Sequence, residues 1–219
     1  MQEKKSRQFN TVIFDLDGTL IDSFEAIREG FNATLPAYNK DPLSLAETKA
    51  LVGMPLRDTF CELLGEQHAD EATTIFRSRY REVFLDMTTP LPHAVETVKD
   101  LHSKGYKLAV ATNKLGQFSR EIIDHMGIGN CITTVVGDGD GVRKKPHPDM
   151  LIKILEEVDS TREEAIFIGD SPVDINTGKA AGVMTVAIPT GHHSHSMLED
   201  AGAKKIIKDL SVLKKTIDC

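Results

Sequence analysis

The chain has 219 residues, 40% of them hydrophobic and 27% charged, which suits one sizeable folded core and excludes intrinsic disorder. Its formal net charge of -7 excludes the basic footprint of a nucleic-acid binder. No apolar run approaches the ~18 residues of a membrane span, and residues 1–10 are polar, without a stretch of signal-peptide length.

The three cysteines, Cys61, Cys131 and Cys219, are scattered and odd in number, as expected of free thiols in a reducing compartment. The expected setting is the cytoplasm, with no nucleic-acid or membrane partner and the chain acting as a monomer or a homodimer.

Residues 11–14 (TVIF) read as a buried strand, followed at once by DLDGT, where Gly18 turns the chain. Residues 22–89 hold no convincing strand. They are rich in Leu, Ala, Glu and Arg at helical spacing and fit two helical hairpins, closed by the break at 88–92 (TTPLP).

Beyond the break the rhythm changes. A helix over 94–103 leads to Gly105 and a strand over 107–111 (KLAVA), then a helix over 117–126 stops at Gly127. A β-branched run at 132–136 precedes a Gly-rich loop. A helix over 149–158, a strand over 165–168 (AIFI), a helix over 173–181 and a strand over 183–188 follow. Residues 203–207 are a candidate last strand before a C-terminal helix.

Strands alternating with helices imply an α/β fold, a Rossmann-like doubly wound parallel sheet with helices on both faces. The expected division is a catalytic core of 1–21 and 90–219 with an all-α cap inserted over 22–89. Ligands of such sheets bind outside the carboxyl ends of the strands, where the insert would act as a lid.

The residues that stand out for chemistry share one position, just past a strand. Asp15 and Asp17 follow TVIF, Thr112 and Asn113 follow KLAVA, and Asp170, Ser171 and Asp174 follow AIFIG. Lys145 lies in the loop KKPHP. Clustered carboxylates repel, and a hard divalent cation such as Mg²⁺ relieves that while keeping sites for phosphate oxygens. Asp15, Asp170 and a backbone carbonyl near Asp17 would form such a site. A carboxylate can attack phosphorus to form an acyl-phosphate. Lys145 and the metal supply positive charge, Thr112 and the Asn113 amide supply hydrogen bonds, and Asp17 can protonate the leaving oxygen.

The set DLDGT, Thr-Asn after the second strand, KKP and GDSPVD resembles, in order and spacing, the four signature motifs of the haloacid dehalogenase superfamily. The resemblance implies Asp15 as nucleophile, Asp17 as general acid/base, Thr112 and Lys145 on the phosphate, and Asp170 as a metal ligand. Asp174 would be a further ligand or support the ligands from behind. Dehalogenases of the superfamily lack the second aspartate, so Asp17 favours phosphoryl transfer. The insert is similar to the helical cap of the phosphoglycolate phosphatase and β-phosphoglucomutase branch. There, residues 51–60 (LVGMPLRDTF) would be the substrate loop, with Arg57 reaching a substrate anion. A small phosphate ester is the expected substrate, with a mutase or an inorganic pyrophosphatase as alternatives. The cluster His192, His193 and His195 reads as a loop rather than a metal site.

Overall fold

The computed structural model describes residues 9–217; residues 1–8, Asp218 and Cys219 lie outside it. Five parallel strands form the central sheet. They are β1 (Thr11–Phe14), β4 (Lys107–Leu115), β5 (Thr134–Asp138), β6 (Ala165–Gly169) and β7 (Met184–Ala187), in the spatial order β5-β4-β1-β6-β7. Every residue of β1 and β6 is buried, as expected of central strands covered on both faces.

Alternate side chains feed two cores. Val12, Phe14, Leu108, Val110, Ile166 and Ile168 face one side, with Val98 and Leu101 of helix α5 (Ala94–Ser103) and Ile122 of α6 (Gly116–His125). Ile13, Ala109, Ala111 and Phe167 face the other, against Met150, Leu151 and Ile154 of α7 (Asp149–Glu157). Helix α8 (Pro172–Ala181) follows β6 directly.

Successive strands run outward from β1 to β4 and β5, whereas β6 and β7 extend the other edge. The order reverses between β1 and β6, and such a switch point is where sheets of this kind open a crevice. Asp15 and Asp170 stand at the ends of those two strands.

Between β2 (Ile21–Asp22) and β3 (Thr89–Pro90) the described chain holds the helices α1 (Phe24–Thr34), α2 (Leu45–Leu51), α3 (Leu56–Leu64) and α4 (Ala69–Val83). Phe31 of α1, Phe60 of α3 and Phe76 of α4 meet edge-to-face around the centre of this cap, with centroids 5.0 to 6.0 Å apart. β2 and β3 pair antiparallel where the chain leaves the sheet and returns.

Four local expectations shift. The second strand continues past KLAVA to Leu115, with a register irregularity between Ala111 and Leu115. β5 starts two residues later and carries Asp138 at its tip. Residues 203–207 form only a single bridge, through Ala187 N–H to Lys205 O and Ile207 N–H to Ala187 O, both 2.9 Å. His195 opens a short helix, α9 (His195–Asp200), capped by Ser194, rather than a loop.

Candidate active site

Gly18 turns the chain after β1 at a φ of +80°, and a Cβ there would stand 2.5 Å from Asp170 Oδ2. A Cβ on Gly191 would stand 1.8 Å from the same oxygen. Two glycines therefore leave room for the Asp170 carboxylate, whose Oδ1 accepts from Thr19 Oγ1 at 3.3 Å.

Ser171 and Asp174 form the capping box that starts α8: the Ser171 hydroxyl accepts from Asp174 N–H, and Asp174 Oδ2 accepts from Ser171 N–H. Asp174 Oδ1 faces Lys145 Nζ at 2.6 Å, and that ammonium lies 2.8 Å from Asp15 Oδ1. Lys145 is thus fixed from behind by a helix cap and aimed at the strand-end carboxylate. Burial works against its charge, but Asp15 and Asp174 outweigh it and hold the ammonium above the usual lysine range.

Asp15, Asp170 and Asp174 each offer one oxygen within 4.8 Å of the others, all three residues being buried. Burial first, and the Asp174 charge next, push Asp15 up to about 7; burial, Asp174 and Asp15 push Asp170 upward too. Lys145 is the one ammonium in contact with this cluster among the described residues, so three carboxylates face a single positive charge. Hard oxygens, excess negative charge and the glycine cradle around Asp170 fit a divalent cation such as Mg²⁺. The clustered carboxylates are Asp15, Asp170 and Asp174, whereas the Asp17 side chain points elsewhere.

Asp17 Oδ1 accepts a short hydrogen bond from the Ser23 hydroxyl and lies 3.0 Å from Lys114 Nζ. Thr112 is buried at the cavity wall, where its Oγ1 accepts from Lys114 N–H at 3.1 Å. Asn113, whose amide is expected to bond the phosphate, has its side chain engaged within the protein. Its Nδ2 donates to Gly53 O at 2.9 Å and Lys145 O at 3.1 Å, and its Oδ1 accepts from Lys145 N–H at 2.9 Å.

The cavity above these residues runs from Asp15, Asp17, Thr112, Lys145 and Asp170 up to the cap helices. Arg57 is not on its wall. Its guanidinium turns outward, 2.7 Å from both Glu66 and Asp70, because those two carboxylates sit on the same exposed side of the cap. The cap arginine on the cavity wall is Arg77 of α4, 3.0 Å from Asp138. Sequence reasoning missed Arg77, Lys114, Tyr80 and Asp138. Only Lys114 carried a local signal, its place next to the Thr-Asn pair.

The loop with His192 and His193 lies beside the site: a Cβ on Gly191 would strike Asp170, and Thr190 Oγ1 donates to Gly18 O at 2.5 Å. The two imidazoles lie with centroids 3.7 Å apart, and burial pushes His192 down to about 4.

The family model of haloacid dehalogenase-like hydrolases matches residues 12–188. The chain belongs to this family. The haloacid dehalogenase-like chain is 33% identical over 181 residues to a phosphoglycolate phosphatase of Aquifex aeolicus, covering 83% of this chain and 85% of that one. It is 32% identical to the pyrophosphatase PpaX of Halalkalibacterium halodurans, over 83% and 84% of the two chains. A solved haloacid dehalogenase-like family hydrolase of Streptococcus pneumoniae matches with a TM-score of 0.86 at 25% identity, over 95% of this chain and 99% of that one. A structure from Lactobacillus delbrueckii subsp. bulgaricus shares the fold, with a TM-score of 0.89 over 96% and 98% of the chains at 22% identity. The protein is thus a hydrolase of the phosphatase type, with the five-stranded parallel core and helical cap seen above. Among the described residues, no helix is long and apolar enough to cross a membrane.

Proposed function

We propose that this phosphatase hydrolyses a small phosphate monoester, 2-phosphoglycolate first among them, through an aspartyl-phosphate on Asp15. The observation that carries the reading is the Asp15–Lys145 contact of 2.8 Å at the floor of the cavity. It presents a carboxylate oxygen to an incoming phosphorus and a cation to the phosphoryl oxygens.

Asp15 attacks phosphorus, the P–O bond to the alcohol breaks, and Asp17 gives the departing oxygen its proton. Asp17 then takes a proton from water as that water attacks the aspartyl-phosphate, which releases phosphate and restores Asp15. Thr112, on the cavity wall, would hydrogen-bond the phosphoryl group. Asp15 and Asp170, with the Asp17 carbonyl, would hold Mg²⁺. When bound, the cation neutralises phosphoryl charge. Asp174 supports the site by holding Lys145.

The named relatives favour phosphoglycolate or pyrophosphate as substrate, and a phosphomutase would use the same core residues. Phosphate release from 2-phosphoglycolate, pyrophosphate and hexose phosphates, with Mg²⁺ and with EDTA, tests the reading. A strong EDTA-sensitive preference for one ester supports it. An isomeric sugar phosphate in place of free phosphate would favour the mutase, and silence across the panel would overturn hydrolysis of small esters.

A further inference from the structure

Two consecutive residues stand between the cap and the residues proposed to act in catalysis, and each touches both, Asn113 through the Lys145 backbone and Lys114 through the Asp17 side chain. Asn113 donates through Nδ2 to Gly53 O, in the loop joining α2 and α3, while its two amide ends bracket the backbone of Lys145. Lys114 donates to Tyr80 Oη of α4 at 2.8 Å and lies 3.0 Å from Asp17 Oδ1. Its side chain is only 8% exposed, and its ammonium also sits 4.7 Å above the Tyr80 ring.

Adjacent residues of a regular strand point to opposite faces. Here the register shifts between Ala111 and Leu115, and both side chains reach the cap side. The two cap partners come from different elements. Gly53 sits at a φ of +112°, which suits glycine and lets its carbonyl face Asn113.

We propose that Asn113 and Lys114 are positioning residues that tie the placement of Lys145 and Asp17 to the docking of the cap. Undocking the cap removes one partner from each: Gly53 from Asn113 and Tyr80 from Lys114. Lys145 then loses part of the bracket that sets its backbone. Asp17, whose other partner Ser23 lies at the hinge where α1 begins, then faces a lysine no longer anchored from above. Both Asp17 contacts fall on Oδ1, which leaves Oδ2 as the oxygen that meets the leaving group. The inference rests on the roles of Asp17 and Lys145 proposed above.

The test compares two esters in the presence of Mg²⁺. One is the alkyl phosphate that the panel identifies, whose alkoxide needs a proton to leave. The other is 4-nitrophenyl phosphate, whose phenolate leaves without one. The variants are Asp17→Asn, Lys114→Met, Tyr80→Phe and Asn113→Ala.

General acid catalysis is worth about 10²–10⁴-fold, so Asp17→Asn should lose far more kcat on the alkyl ester than on the aryl ester. Lys114→Met should show the same split at about tenfold. Tyr80→Phe, which keeps the ring and the cap packing, should show it more weakly. Asn113→Ala should slow both esters alike, because Lys145 serves the phosphoryl group they share. If Lys114→Met and Tyr80→Phe slow both esters equally while Asp17→Asn keeps the split, the positioning role is wrong and the general acid stands. If Asp17→Asn shows no split, the reading of Asp17 fails and the inference with it. Asn113→Ala at the wild-type rate would overturn the Asn113 half.

Discussion

Lys145 and Asp174 meet at 2.6 Å, and Asp174 has no exposed surface. The same carboxylate closes the first turn of α8, so the start of a helix and the aim of the Lys145 ammonium at Asp15 are one structural event.

Asp174→Ala therefore removes a helix cap and one of the two carboxylates that hold the Lys145 ammonium, leaving Asp15 as its partner. A cap is worth ~1 kcal/mol and breaking one side of a buried pair about 3–5 kcal/mol. Urea unfolding in EDTA should show a loss toward the lower end of that range, because Asp15 still pairs with Lys145 and the repulsion Asp174 exerts on Asp15 and Asp170 is gone. Asp174→Asn keeps an acceptor for the cap and should lose less. Equal losses for the two variants would mean that the Lys145 contact contributes little.

Asp15→Asn should abolish turnover and leave the fold intact. Burial and Asp174 already push Asp15 up to about 7, so its charge opposes folding of the metal-free chain. Without metal the variant should melt at or above the wild-type temperature. With Mg²⁺ the wild type should gain more, since a ligand at 100 times its Kd adds about 2.7 kcal/mol. Residual turnover above ~1% of wild type would remove Asp15 as the nucleophile.

The two cap arginines should behave differently. Arg57 points away from the cavity into exposed ion pairs, so Arg57→Ala should leave kcat/KM nearly unchanged. Arg77 lies on the cavity wall, and Arg77→Ala should lower kcat/KM about tenfold, the worth of one hydrogen bond to a charged group. The reverse ranking would return the substrate contact to Arg57.

Burial, the neighbouring His193 and then the Lys49 ammonium on α2 depress His192 to about 4, against an ordinary 6.5. A depressed histidine favours the neutral form in the fold. Its contribution to stability is full above the unfolded value of 6.5 and is lost as the pH falls from there towards 4. Thermal unfolding between pH 7 and 4 should therefore fall less steeply for His192→Asn than for the wild type. Parallel curves would show that acid acts elsewhere.

The gathering of Asp15, Asp170 and Lys145 at one point was legible because its signals are local: the two aspartates follow buried β-branched runs, and Lys145 precedes a proline in a loop. The α/β alternation fixed the neighbourhood of the strand tips in the same way. What was not legible depends on which face of a helix meets the core. Arg57 and Arg77 look alike along the chain, and only the packing of α4 over β4 and β5 separates them. That the Asn113 side chain binds Gly53 and Lys145 is not legible along the chain, because both partners are distant in sequence. Along the sequence β4 reads short, because its pairing breaks at Ala111 and resumes at Leu115.

Asp22 and Thr89 pair across a two-residue ladder, and Leu91 N–H donates to Leu20 O at 2.9 Å just beneath it. The polypeptide thus departs from the sheet and rejoins it at neighbouring points, and the span between those points does not depend on how many residues lie in the detour. Lineages can lengthen, shorten or rebuild that excursion without asking the strands below to move. The sheet and the helices inserted above it can then diverge at separate rates.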